Sequence, residues 1–178
     1  MMQQAVTRFL QTIGHLTDIS RLQYATTEQP EAVVLADLVE AVRLDLGPLL
    51  ASTHGQLLLD LAECPVVYFS PKNLRSILYN LLSNALKYRH PDRDPVVRIR
   101  ASRAPDQVVL EVHDNGLGLS GNQQSRLFAL FQRLHTHVEG SGVGLFMLKR
   151  IVDNAGGQIA VNSQPGTGST FTITLPRA

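Results

Sequence analysis

The chain is 178 residues long, 44% hydrophobic and 17% charged, with sixteen basic and fifteen acidic side chains and a net charge of +1. That is enough apolar material for one packed domain with a short appendage, and it excludes wholesale disorder. The even charge balance gives no electrostatic reason to expect nucleic acid or membrane contact, no apolar run reaches the about 18 residues of a membrane span, and no secretory signal opens the chain. A cytoplasmic protein is expected. Its single cysteine, Cys64, forms no internal disulfide and reads as a buried thiol.

From Gln3 to about Tyr24 there is no proline, and Val6, Phe9, Ile13 and Leu16 recur at steps of three and four. This predicts an amphipathic helix whose apolar face needs a partner helix, from a second chain. Residues 1–27 are therefore set apart from a globular unit over 28–178, with Thr26 to Pro30 as the linker. A second helix is expected from Ala32 to Gly47-Pro48 or slightly beyond. Gln56 to Leu61 and Pro65 to Phe69 read as short strands. Ser70 then has the position of an N-cap, with Pro71 at the first helical residue, and the helix runs to about Tyr88.

Val96 to Ala101 and Gln107 to His113 alternate and form a hairpin about Pro105-Asp106. A short helix over Gln123 to Phe131 precedes a polar stretch, Arg133 to Gly142, with the length of a lid. A helix from Gly142 to about Asn154 ends at Gly156-Gly157. Gln158 to Ser163 and Ser169 to Leu175 close the chain as a strand pair. The order predicts an α/β fold of two layers: a mixed, mostly antiparallel sheet with helices on one face, preceded by the N-terminal helix.

Ten of the thirteen glycines fall between Gly116 and Gly168, in clusters at 114–118, 140–144 and 165–168. Asn80 and Asn84 stand one helical turn apart, and Lys87 extends their face. Two amides and an ammonium suit a hydrated cation and a polyphosphate, because amide oxygen is a hard ligand that fits Mg²⁺. Asp114 ends an alternating strand, where a carboxylate can accept from an exocyclic amine such as that of adenine, and Gly116 and Gly118 let a base lie close. Gly140, Gly142 and Gly144 enter a helix, and bare amides at a helix N-terminus favour phosphate. The Thr170 hydroxyl is placed to face the same pocket. Gly116 to Gly121 also fits a dinucleotide fingerprint, but no parallel strand ending in an acid follows it. No P-loop motif occurs.

An amide-rich helix, Asp-x-Gly-x-Gly, paired phenylalanines, Gly-x-Gly-x-Gly and Gly-x-Gly-x-Thr, in that order, resemble the GHKL ATPase superfamily. Within it, the resemblance over about Glu31 to Pro176 is to the catalytic and ATP-binding domain of bacterial sensor histidine kinases. The N box looks like Asn80 to Tyr88, the first glycine box like Asp114 to Gly118, and the F box like Leu127 to Phe131. The second glycine box looks like Gly140 to Leu145, and the third like Gly166 to Thr170. The resemblance implies ATP and Mg²⁺ as ligands, Asn84 on the metal with Asn80 assisting, Lys87 and Tyr88 near the phosphates, and Asp114 reading adenine. It further implies an N-terminal segment similar to the second dimerisation helix, a homodimeric parent protein, an acceptor histidine helix and a response-regulator receiver domain as partners.

Gyrase, mismatch-repair and chaperone relatives carry a glutamate where Asn80 stands, and it activates the attacking water. Asparagine takes up no proton at neutral pH, so transfer to an outside nucleophile is expected rather than hydrolysis. The six histidines are His15, His54, His90, His113, His135 and His137. None stands beside an acid and shortly before a proline, the context the family requires of an acceptor. The chain is thus expected to donate phosphoryl to a histidine outside itself. Two rival readings are an ATP-hydrolysing clamp and a degenerate nucleotide-binding module.

Overall fold

The computed structural model describes residues 29–130 and 142–177. The expected N-terminal helix, Phe131, Gly140 and nearly all of the expected lid lie outside them. The order of elements is β1 (Glu31–Val34), α1 (Leu35–Asp45), α2 (Gly47–Thr53), β2 (Gln56–Asp60), β3 (Val66–Phe69), α3 (Pro71–Lys87), β4 (Val96–Ala104), β5 (Gln107–Asp114), α4 (Gly121–Arg126), α5 (Gly144–Asn154), β6 (Gln158–Gln164) and β7 (Gly168–Pro176).

Five strands form one sheet in the order β2-β4-β5-β7-β6, while β1 and β3 make a separate two-stranded ladder. Only β2 and β4 run parallel; β4–β5, β5–β7 and β6–β7 are antiparallel. The α/β sandwich and its mostly antiparallel sheet are as the alternation predicts.

Alternation decides which face is covered. Val108, Leu110, Val112 and Asp114 of β5 are buried, as are Ser169, Phe171, Ile173 and Leu175 of β7. The residues between them, including His113 and Thr170, lie on the open face. Onto the covered face packs α3, whose Leu74, Ile77, Leu78, Leu81, Leu82 and Leu86 are buried. Both α1 and α5 flank α3 in the helical layer.

The helix expected from Ala32 is a strand for its first residues, and α1 begins only at Leu35. The cause is a distant partner: β1 pairs antiparallel with β3, from Glu31 opposite Phe69 to Val34 opposite Val66. Gly47-Pro48 starts the separate helix α2 instead of ending α1, with proline in the first turn where its missing N–H is harmless. Cys64 is buried and its thiol lies 3.5 Å from the Val66 carbonyl.

Candidate nucleotide site

The site is organised along one face of α3. Ser70 caps this helix, accepting from the Asn73 N–H at 3.2 Å, and Pro71 occupies its first turn. Asn80, Asn84 and Tyr88 follow at intervals of four, so they stack as successive turns of one stripe. The Asn80 amide nitrogen donates to the Ser76 carbonyl at 2.8 Å. Its Oδ1 is the atom nearest to where a Cβ on Gly144 would stand, so any larger residue there would have to displace the Asn80 side chain. The middle of α3 therefore touches the first residue of α5, where helix N–H groups point outward without intrahelical partners. Gly142 adopts a left-handed φ of 71° just before the Val143 cap, and Leu145 is half-buried against the core.

The C-terminal end of the stripe meets the first glycine cluster. The Tyr88 carbonyl accepts from the Leu117 N–H at 3.0 Å, and a Cβ on Gly116 would come within 2.6 Å of that carbonyl oxygen. Gly118 has a φ of 67° and presses against the Gln164 carbonyl. Asn84, half-buried, sits one turn from each contact, with Lys87 exposed beside it at the end of the helix.

Asp114 is 9% exposed at the end of β5. Its Oδ1 accepts from the Gly116 N–H at 2.8 Å. Burial pushes its pKa above the ordinary carboxylate range; amides of Gly116 and Ser169 and the nearby His113 and Arg93 act in the opposite direction. Such a carboxylate, with part of its acceptor capacity already engaged by the backbone, is oriented to take one further donor.

Thr170 stands elsewhere. It is opposite His113 in the ladder, and its hydroxyl lies 2.9 Å from His113 Nδ1 on the open face of the sheet. The hydroxyl beside Asp114 belongs to Ser169, its register partner, which also contacts Ser163 Oγ at 2.8 Å. The signal was in the sequence: Phe171, Ile173 and Leu175 alternate inward, and that period puts 169, not 170, on the covered side. Asn115 and Arg93 also escaped the motif reading. The Asn115 side chain accepts from the Val96 N–H at 2.9 Å and donates to the Asp94 carbonyl at 3.0 Å. Among the histidines, His90 Nδ1 accepts from the Asp92 N–H and His54 is exposed; His15, His135 and His137 lie outside the described residues.

Among the described residues no three His, Cys, Asp or Glu side chains cluster. A divalent ion at the α3 stripe would draw on amide oxygens and on a nucleotide's own phosphates, which is the donor set Mg²⁺ favours. Asn80 Oδ1, turned out from its helix toward Gly144, fits that role, and Asn84 lies on the same stripe. No described helix is long and apolar enough to cross a membrane.

The chain is similar in sequence and in fold to known proteins. Residues 70–178 match the family described as histidine kinase-, DNA gyrase B-, and HSP90-like ATPase. The circadian input-output histidine kinase CikA of Synechococcus elongatus is 41% identical over 128 residues, covering 68% of this chain and 17% of that protein. The alginate biosynthesis sensor protein KinB of Pseudomonas aeruginosa is 33% identical over 175 residues, covering 97% of this chain and 29% of its own. The chain thus spans less than a third of either relative. In fold it is similar to full-length ShkA in complex with AMPPNP, with a TM-score of 0.81 at 24% identity over 96% of this chain and 36% of that one. The catalytic domain of the histidine kinase ThkA gives 0.71 at 19% identity, over 84% of this chain and 96% of that one. The chain belongs to the histidine kinase-, gyrase B- and HSP90-like ATPase family, as an ATP-binding catalytic domain of the sensor histidine kinase type.

Proposed function

We propose that this chain binds ATP with Mg²⁺ and donates the γ-phosphoryl group to a histidine on a helix outside this chain, within a homodimeric cytoplasmic sensor kinase. The single observation that carries the reading is the α3 stripe, which meets Gly144 at Asn80 and the Asp114 loop at Tyr88. A nucleotide laid along it would have its base at Asp114 and its phosphates at the α5 N-terminus. Asp114 would accept from the adenine amine. Amides at Gly142 and Gly144 would face phosphate oxygens, and Lys87 would offset their charge. Asn84, assisted by Asn80, would hold Mg²⁺, which when bound neutralises phosphate charge.

In the transfer step an imidazole nitrogen of the acceptor attacks the γ-phosphorus, the bond to the β–γ bridging oxygen breaks, and ADP leaves. The imidazole proton passes to a base outside this domain. Positioning and charge neutralisation supply the rate. A receiver-domain aspartate would then take the phosphoryl group from the histidine.

The choice of a histidine over water rests on residue 80. Its amide cannot deprotonate water at neutral pH, and its nitrogen is engaged on Ser76. With γ-labelled ATP, the chain alone should release little phosphate and stay unlabelled, while an added acceptor-histidine helix should take the label. Asn80→Glu should raise hydrolysis. Rapid steady-state hydrolysis by the unaltered chain would instead favour the hydrolytic clamp.

A further inference from the structure

Arg93 lies in the loop between α3 and β4, outside every motif that marks the site. Its Nε donates to the Asn115 carbonyl at 2.7 Å, and its Nη2 reaches the carbonyls of Gly116 at 3.2 Å, Gly166 at 2.7 Å and Thr167 at 3.3 Å. One planar guanidinium thus bridges the loop after β5 and the β6–β7 turn, two segments far apart in sequence. A lysine ammonium, a compact point charge without a fork, cannot reproduce that spread.

Each peptide unit is rigid, so fixing its oxygen fixes its N–H. The unit whose oxygen is Asn115 O carries the Gly116 N–H that donates to Asp114 Oδ1. The next unit, whose oxygen is Gly116 O, carries the Leu117 N–H bonded to Tyr88 O. Arg93 therefore grips two successive peptides whose opposite ends aim the carboxylate and tie the loop to α3. The turn it also holds returns a bond of its own, from the Gly166 N–H to the Leu117 carbonyl at 2.7 Å. The Asn115 side chain fastens the same loop to Arg93's neighbour Asp94 and to Val96, on either side of Pro95.

We propose that Arg93 is a positioning residue for base selection: it locks the Asn115–Gly116 peptide that orients the Asp114 carboxylate, and so sets the preference for adenine over guanine. The proposal rests on the reading of Asp114 as the adenine acceptor. Guanine presents a carbonyl where adenine presents its amine, so a well-aimed carboxylate attracts one base and repels the other, whereas a loosened one discriminates less.

Calorimetric titration of the full 178-residue chain with ATP, GTP and inorganic tripolyphosphate tests this. Arg93→Ala should weaken ATP binding about tenfold, the size expected when charge-assisted hydrogen bonds to one loop are lost. Tripolyphosphate affinity should stay unchanged, and the ATP-to-GTP affinity ratio should shrink because the loosened carboxylate discriminates less between the bases. Arg93→Gln should behave alike, which keeps the test open if the alanine variant folds poorly. Arg93→Lys should recover only part of the ratio. Parallel loss of ATP and tripolyphosphate, an unaltered ratio, or full recovery with lysine would overturn the proposal. Asp114→Asn separates the two levels. If it weakens ATP binding while Arg93→Ala does not, only the role of Arg93 falls; if Asp114→Asn leaves ATP binding unchanged, the adenine reading falls and the proposal with it.

Discussion

Asp114, in the proposed role of adenine acceptor, would serve binding at a cost to folding. Burial raises its pKa, so the folded chain takes up a proton more readily than the unfolded chain. Stability contributed at this position therefore declines as pH climbs from the ordinary carboxylate range through the raised value, and it stays lower above that. Asp114→Asn removes the buried charge. At neutral pH the ligand-free variant should unfold at a higher urea concentration than the parent, with the difference vanishing in acid, while its ATP affinity drops. A variant less stable at neutral pH would mean that the Gly116 and Ser169 amides outweigh the cost of burial. The carboxylate itself was legible from Asp-Asn-Gly-Leu-Gly. Its partner hydroxyl needed the strand period, and Arg93 needed the folded structure, because its four acceptors are backbone atoms that no side-chain motif announces.

At the level of elements, α3 depends on local chemistry that reads directly from sequence: a serine cap, a proline in the first turn, and leucines and isoleucine at helical spacing. Ser70→Ala should cost about 1 kcal/mol, the usual value for a lost N-cap, which for a domain of this size lowers Tm by roughly 2–4 °C. Differential scanning calorimetry would check it, and an unchanged Tm would mean that the cap bond adds nothing. Strand β1 had no such local signature. Val33 and Val34 continue into the apolar spacing of α1, and only the ladder with β3 turns them into strand. The boundary at Gly47-Pro48 was visible, but whether a helix ends or begins there depends on what packs beside it.

For the whole molecule, the proposed nucleotide site is built from segments that meet only in the native state: the α3 stripe, the Asp114 loop and the entry to α5. A ligand that needs all of them binds the folded chain and not the unfolded one. ADP at about a hundred times its dissociation constant should thus stabilise the fold by about 2.7 kcal/mol. A thermal melt should shift upward by several degrees, and Asp114→Asn should lose most of that shift at the same ADP concentration. No shift at saturating ADP would show that the segments do not act as one site. The layer order and the sheet followed from alternation and glycine placement, whereas the parallel β2–β4 edge came from a crossover through α3 that periodicity alone does not specify.

The pairing of Glu31 with Phe69 has a mechanical meaning. Phe69 immediately precedes the serine that caps α3, so β1 is paired to the residue that leads directly into the helix bearing both asparagines. Four rungs of a short ribbon thus fasten the first described strand to the start of that helix, and the buried Val33, Val67 and Phe69 seat the ribbon on the same interior as the helix's leucines.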